Sequence, residues 1–355
     1  MKLLVISLAG IGDTLMATPL IHELRAHFPE ATIDAFVLWN GSRDMLENNP
    51  HLSRVWQRNL IASSKIESLR FIAGLRREQY DVSINTHPQS RIHYRIVARL
   101  IGARTRLSHE YDNASILDRL CVNRTLPQNY QRHTIDNNLS LLSLIGGAPK
   151  LPSHRIELFL SASDQQWAED FLRTHSLAGS KKLGIHIGSG GTKNLTLRRW
   201  PLENYRGLIR RLKETNPDLR VLLFGGPSEA PEQEQLIAAV DSGIALPVSA
   251  GNMRQAAALV GRCDAFLSVD TALMHLAAAM RVPGQVVIET PTVNPTIVPY
   301  GNPFALVPNP AVGGRNLEYY RYDGRGIRGS TEELQRCMAS VSVEAVHAAV
   351  QAALH

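Results

Sequence analysis

Cysteine is scarce in this chain: Cys121, Cys263 and Cys337 are the only three in 355 residues. They are odd in number, widely spaced and form no CxxC pair, which excludes a disulfide framework and a structural zinc cage and suits a reducing compartment. Long uninterrupted apolar segments are missing too. The longest charge-free stretch, Thr290 to Gly314, could span a bilayer by length, but its six prolines make it loops and short strands. The opening Leu3 to Ile11 is a poor leader peptide, with one lysine before it, two glycines near its end and Asp13 directly after. A cytoplasmic protein is therefore expected, with a first strand starting at the second residue. There are no short tandem repeats and no low-complexity tails. Aromatics make up 6% of the chain. Arg91, Arg95 and Arg99 recur at helical spacing without a run of aromatics to stack bases, so nucleic acid is not the expected partner.

What is present is ordinary for a globular protein, 44% hydrophobic and 20% charged, at a length that calls for two cores. The net charge of +6 is uneven. Residues 1–150 hold 18 Lys/Arg against 13 Asp/Glu, whereas residues 151–355 hold 20 against 19. The basic first half suits an anionic substrate or a membrane surface, and equally a merely solvated face. Apolar runs at Lys2 to Leu8, Thr32 to Leu38 and Asp81 to Asn85 predict strands. Amphipathic runs at Thr14 to His27 and Ile66 to Glu78 predict helices. The alternation restarts after Lys182. Strands are expected at Leu183 to Ile187, Arg220 to Phe224 and Ala265 to Ser268, with helices at Leu202 to Thr215, Pro231 to Val240 and Thr271 to Met280. The expected fold is α/β, with two Rossmann-like doubly wound lobes facing a central cleft. Their predicted extents are 1–176 and 177–340. A final amphipathic helix, within 341–355, could return to either lobe, the first included.

Each lobe opens with a strand and a glycine-bearing loop, Leu8-Ala9-Gly10-Ile11-Gly12-Asp13 and Ile187-Gly188-Ser189-Gly190-Gly191-Thr192. Asp13 has two readings: a helix cap, or a general base taking a proton from an attacking hydroxyl. A dinucleotide fingerprint does not fit, because its third glycine would fall at Leu15. In the second lobe, the small residues of Gly188 to Pro201 let backbone amides approach an anion. Lys193, Arg198 and Arg199 can neutralise a diphosphate there; the alternative is a solvated loop. Ser268-Val269-Asp270-Thr271-Ala272 ends a strand and opens a helix whose first amides suit the same anion. His275 lies four residues past Thr271 on the same helical side. Taken singly, His275 suits the core and Asp270 a cap. In Phe224-Gly225-Gly226-Pro227-Ser228-Glu229, the glutamate could hold ribose hydroxyls or simply begin a helix.

In order and spacing these segments resemble the ADP-heptose:lipopolysaccharide heptosyltransferases, the family 9 glycosyltransferases, which have the two-lobed GT-B fold. The residues carrying the resemblance are Gly-Ile-Gly-Asp13 with Ala17-Thr18-Pro19, Gly188-Ser189-Gly190, Arg198-Arg199-Trp200-Pro201, Phe224-Gly225-Gly226-Pro227, Ser268-Val269-Asp270-Thr271 with His275-Leu276-Ala277-Ala278-Ala279, and Pro291-Thr292. The resemblance implies transfer of heptose from ADP-heptose to a hydroxyl of the lipopolysaccharide core, with inversion and no obligatory metal or other cofactor. Asp13 matches the family's base. Arg198, Asp270, Thr271 and His275 match the family's donor-phosphate positions and Glu229 approximately an acidic residue near the nucleoside; the donor contacts expected here are these with Ser189, Gly190, Thr192, Lys193, Gly225 and Ala272, and the acceptor contacts expected are Gly12, Thr14 and Arg91.

Three departures stand out. Arg198 replaces a usual lysine, Ala272 a usual glycine, and Glu289-Thr290 a usual Phe-Gly. Glu289 would put negative charge beside the phosphates if its side chain turned inward. Another nucleotide-sugar donor and a catalytically idle sugar-nucleotide-binding protein are the rival readings; an NAD-dependent oxidoreductase has no support in the glycine spacing. With base and leaving-group clamp on different lobes, a closing motion is expected, measurable by small-angle scattering with and without ADP. Any membrane contact is expected to be peripheral on the cytoplasmic face of the inner membrane, and no amphipathic anchor stands out in the sequence.

Overall fold

The structure is a computed structural model and describes residues 1–189, 195–240, 243–291, 295–312, 320–321, 326–327 and 330–355. Two compact units divide the chain at Phe159/Leu160. The first also takes the short stretch Pro295–Ile297. The division falls before the predicted position 176, because the helix Ala162–Thr174 packs on the helix Met253–Val260 of the second unit. Arg254 there donates to Asp164 at 3.0 Å.

The first unit contains six strands: β1 (Lys2–Ser7), β2 (Thr32–Val37), β3 (Arg54–Gln57), β4 (Val82–Asn85), β5 (Thr105–Glu110) and β6 (Arg124–Pro127). The second contains β7 (Lys182–His186), β8 (Arg220–Phe224), β9 (Ala245–Val248), β10 (Ala265–Ser268), β11 (Gly284–Ile288) and β12 (Phe304–Val307). Every pairing in both sheets is parallel, and the strand orders are β3-β2-β1-β4-β5-β6 and β12-β11-β10-β7-β8-β9. Both are the doubly wound order of a Rossmann fold. Winding reverses between β1 and β4 in one sheet and between β7 and β10 in the other, so the loops leaving those strands flank the place where such sheets bind ligands.

The central strands are apolar because helices cover both faces. Leu3 to Ile6 of β1 and Ile185 of β7 are fully buried. Leu4 and Ile6 join Phe36, Ile72 and Leu75 in the first core, and Ile185, Leu208, Val221 and Leu267 build the second. The predicted helix Thr14 to His27 is two helices, Ile11–Leu15 and Thr18–His27. Pro19, which lacks an N–H, sits in the first turn of the second, where no amide partner is needed.

The last helix, Val343–Leu354, lies on the second lobe and not the first. It packs on β10, β11, β12 and the helix Leu202–Thr215, burying Val346 and Val350. Gly284 permits this approach, since a Cβ there would stand 2.1 Å from the carbonyl oxygen of Ala353. Gly284→Ala is accordingly expected to lower unfolding free energy by about 1–3 kcal/mol, the usual cost of overpacking, as read from denaturant melts. An unchanged midpoint would refute this packing.

Candidate functional site

In the second lobe, Ser189, Asp270, Thr271 and Ala272 lie on the segments that follow β7 and β10, the strands flanking its switch point, and Arg198 reaches Asp270 there. Thr271 caps the helix Ala272–Ala279, its hydroxyl accepting from the Met274 amide at 3.4 Å, so the first amides of that helix face the strand end without partners within the helix. Across the switch point, His186 at the end of β7 meets the Thr271 hydroxyl through Nδ1 at 3.0 Å. Burial, helped by nearby Arg199, pushes the His186 pKa down to about 3, so the ring is neutral and Thr271 is oriented without added charge.

Arg198 ends the short helical turn Leu195–Arg198 and donates to Asp270 at 2.6 Å, with both side chains largely buried. Burial raises the Asp270 carboxyl above its ordinary range, and the Arg198 guanidinium opposes that rise. The pair places a planar cation against the loop that opens the Thr271-capped helix. Arg199 turns the other way, to Glu232 at 2.6 Å and Glu229 at 3.0 Å. Glu229 also accepts from the Gly226 amide at 2.8 Å, so it braces the glycine turn after β8 as well as standing beside the strand ends. Gly188 and Gly225 allow this crowding: a Cβ at Gly188 would lie 2.8 Å from both Glu229 and His186, and one at Gly225 2.7 Å from Gln233.

Ser189 is buried and donates to the Leu195 carbonyl at 2.6 Å, closing the loop on itself. His275 is almost fully buried within its helix, and Ala272 is half-buried at its start. Gly190, Thr192 and Lys193 lie outside the described residues. Glu289, directly after β11, is buried and accepts from the Asn309 amide just past β12, while Asn309 is held in turn by Cys337 and Ser340. A cavity of about 430 Å³ opens behind the loop among Ile187, Trp200, Glu232 and Arg336; Asp270 and Thr271 are not part of its wall.

In the first lobe, Asp13 is the third residue of the helix Ile11–Leu15, and Gly10 is its N-cap. The Asp13 carboxylate accepts from the Gly10 amide at 2.7 Å and stays half-exposed. One oxygen thus holds the loop, and the group still reaches the surface. Its neighbour Thr14 has no exposed surface and bonds to Gly10, Ser42 and Ser7, so it sustains the loop and does not present itself to a ligand. Gly12 is half-buried beside Asp13, and Arg91 precedes the helix Ile92–Ile101 after β4, at the switch point.

The first lobe also holds a buried polar network that residue spacing did not single out. His87 meets the Tyr111 hydroxyl at 3.0 Å, the Gln89 amide donates to that same hydroxyl at 2.9 Å, and the His87 amide donates to Asn138 at 2.8 Å. Burial raises the Tyr111 phenol above its usual range, and Asp13 is close enough to add to the rise. The only sequence signal was Thr86-His87-Pro88 directly after a strand. A separate trio, His22, His51 and Glu157, is the one group among the described residues with metal-ligand spacing. Its imidazole rings stack in parallel at 3.9 Å, so their in-plane lone pairs run side by side, and Glu157 bonds His22 at 2.9 Å. That is the geometry of a hydrogen-bonded acid–imidazole cluster.

Known proteins agree with this architecture. Lipopolysaccharide heptosyltransferase 3 of Escherichia coli is 25% identical over 282 residues, covering 77% of this chain and 78% of that one. Among solved structures, E. coli ADP-heptose LPS heptosyltransferase II superposes with a TM-score of 0.75 at 18% identity, covering 100% of this chain and 98% of the other. E. coli heptosyltransferase WaaC with ADP-2-deoxy-2-fluoro heptose superposes with a TM-score of 0.68 at 19% identity, covering 99% of each. The two-lobed GT-B fold is thereby shown. Residues 68–305 match the family described as Glycosyltransferase family 9 (heptosyltransferase), and on a match of that length the chain belongs to this family of glycosyltransferases.

Proposed function

We propose that the protein transfers a heptose from ADP-heptose to a hydroxyl of a lipopolysaccharide core by a single inverting displacement. The first lobe would hold the acceptor and the second the donor. The acceptor oxygen forms its bond to the anomeric carbon as the bond from that carbon to the ADP phosphate breaks. The hydroxyl proton passes to Asp13, and ADP leaves with the bonding pair. Arg198 and the first amides of the Thr271-capped helix are the groups that would meet the charge growing on the diphosphate. Glu229 would receive ribose hydroxyls.

The observation that carries this reading is the Arg198–Asp270 pair set beside the cap of the helix Ala272–Ala279, at a strand-end switch point in a family 9 chain. Two of the three departures from the family pattern fit it. Glu289 is engaged by the Asn309 amide, and Arg198 supplies the cation that a lysine would. The test is to incubate the purified protein with ADP-heptose, competing nucleotide sugars and truncated lipopolysaccharide cores. Added mass of one heptose on a core, with ADP released in equal amount, is expected. Transfer from another nucleotide sugar alone would overturn the donor assignment, and no transfer from any would overturn the activity.

A further inference from the structure

We propose that three neighbouring helices of the first lobe, Lys65–Arg77, Ile92–Ile101 and Ile116–Cys121, form a docking surface for an anionic phospholipid bilayer. The first packs on the second and the second on the third. The Arg76 guanidinium donates to the Leu100 carbonyl at 3.2 Å across one seam. A buried Arg95–Asp118 ion pair at 3.0 Å closes the other. The three outward faces are thus tied into one platform.

Each helix already meets its obligation to the core or to its neighbour. Ile72 and Leu75 of the first, and Ala98 and Ile101 of the second, are buried in the sheet core, and Asp118 of the third is taken by Arg95. Yet each carries a second apolar set facing out. Ile66 and Leu69 are exposed on the first, Ile96 and Leu100 on the second, and Ile116, Leu117 and Leu120 on the third, where Ile116 is 77% accessible. Seven of the eleven large apolar side chains exposed on the described residues stand on these helices, and Ile61, another, lies just before the first. Exposed apolar side chains gathered on neighbouring helices in this way mark an interaction surface.

Charge selects the partner. The three helices hold seven Lys/Arg and two Asp/Glu, a surplus of five in a chain whose net charge is +6. Lys65, Arg70, Arg77, Arg99 and Arg119 are all exposed among the leucines and isoleucines. Aliphatic side chains interspersed with cations are the composition of an interfacial surface that sinks shallowly into anionic headgroups. A second copy of the chain would set this surplus against itself. Phe71 and Tyr94 are half-buried, so no Phe, Tyr or Trp of these three helices is exposed as a stacking platform for nucleic acid. Among the described residues no single helix can cross a bilayer. The bent pair Thr331–Ala339 and Val343–Leu354 is apolar enough, but Met338, Val346, Val350 and Leu354 are spent in the second core.

The experiment is co-sedimentation of the intact protein with vesicles of phosphatidylglycerol and phosphatidylcholine in equal parts, and with phosphatidylcholine alone. Partition onto the mixed vesicles is expected to be at least about ten-fold stronger and to fall as salt rises. Leu117→Ser/Leu120→Ser, which leaves the charge intact, and Arg99→Ala/Arg119→Ala, which leaves the apolar set intact, should each weaken it by about ten-fold or more. Circular dichroism should show both variants folded, since the residues are exposed. Equal partition onto the two vesicle types, no partition at all, or undiminished binding by both variants would overturn the proposal. The readout needs no sugar substrate, so it stands or falls separately from the transferase assignment.

Discussion

Asp13→Asn is expected to lower kcat by roughly 10²- to 10⁴-fold, the range that a positioned general base supplies. The substitution separates the brace that this side chain gives the loop from its proposed role as base. An amide oxygen can still accept from the Gly10 N–H, so the helix Ile11–Leu15 keeps its start and the fold is retained. What is lost is the ability to take a proton. Donor binding, assigned to the other lobe, should change by no more than a few-fold, so kcat and kcat/KM should fall together. Released ADP gives the rate and calorimetry with ADP gives the donor affinity. Turnover within a few-fold of the parent would leave Asp13 as a loop brace only, and would move the search for a base to the His87–Tyr111 network.

The second large effect is expected at Arg198→Met. The methionine keeps much of the side chain's length and removes its charge, which leaves Asp270 without this cation in a largely buried position. Breaking a buried pair from one side costs about 3–5 kcal/mol, and the residual exposure of both partners points to the lower end. The pH dependence follows from burial, which already raises the Asp270 carboxyl against the opposition of Arg198. Without the guanidinium the folded state holds that proton more tightly than the unfolded chain does. The variant's deficit should therefore be smallest in acid and grow as pH rises through the raised folded-state value.

Denaturant melts at acidic and neutral pH measure this directly. Arg198→Met/Asp270→Asn should recover most of the stability, because the buried charge is gone, while turnover stays low by roughly 10²-fold or more for want of the cation. A single variant as stable as the parent at every pH would mean that the pair is solvated and the site less closed than its geometry indicates.

Much of the fold was legible because central parallel strands are buried on both faces and read as plain apolar runs. Lys2–Ser7, Arg220–Phe224 and Ala265–Ser268 fall within a residue or two of their expected places. The outer strands were not legible. Thr105–Glu110 carries Arg106, His109 and Glu110, and Arg124–Pro127 is only four residues long, so neither shows a strand period by itself. The outward faces of the three basic helices escaped notice for a related reason. Ile66, Leu69, Ile72 and Leu75 look like one core-directed set until the sheet takes two of them and leaves two outside.

The chain's residues alone determined that there are two wound α/β halves, that glycine-bearing loops follow their first strands, and that an aspartate and a basic segment belong to those loops. Local spacing is enough for this, because helix and strand periods and strand-end turns involve neighbours a few positions apart. Tertiary structure decided which of those side chains face one another. Arg198 found Asp270 across 72 positions, Thr14 disappeared beneath its loop, Glu289 was taken by Asn309, and the last helix settled on the second lobe. Those outcomes depend on strand order and on the burial of whole surfaces, and the free energy of such long-range contacts has no counterpart in local propensity.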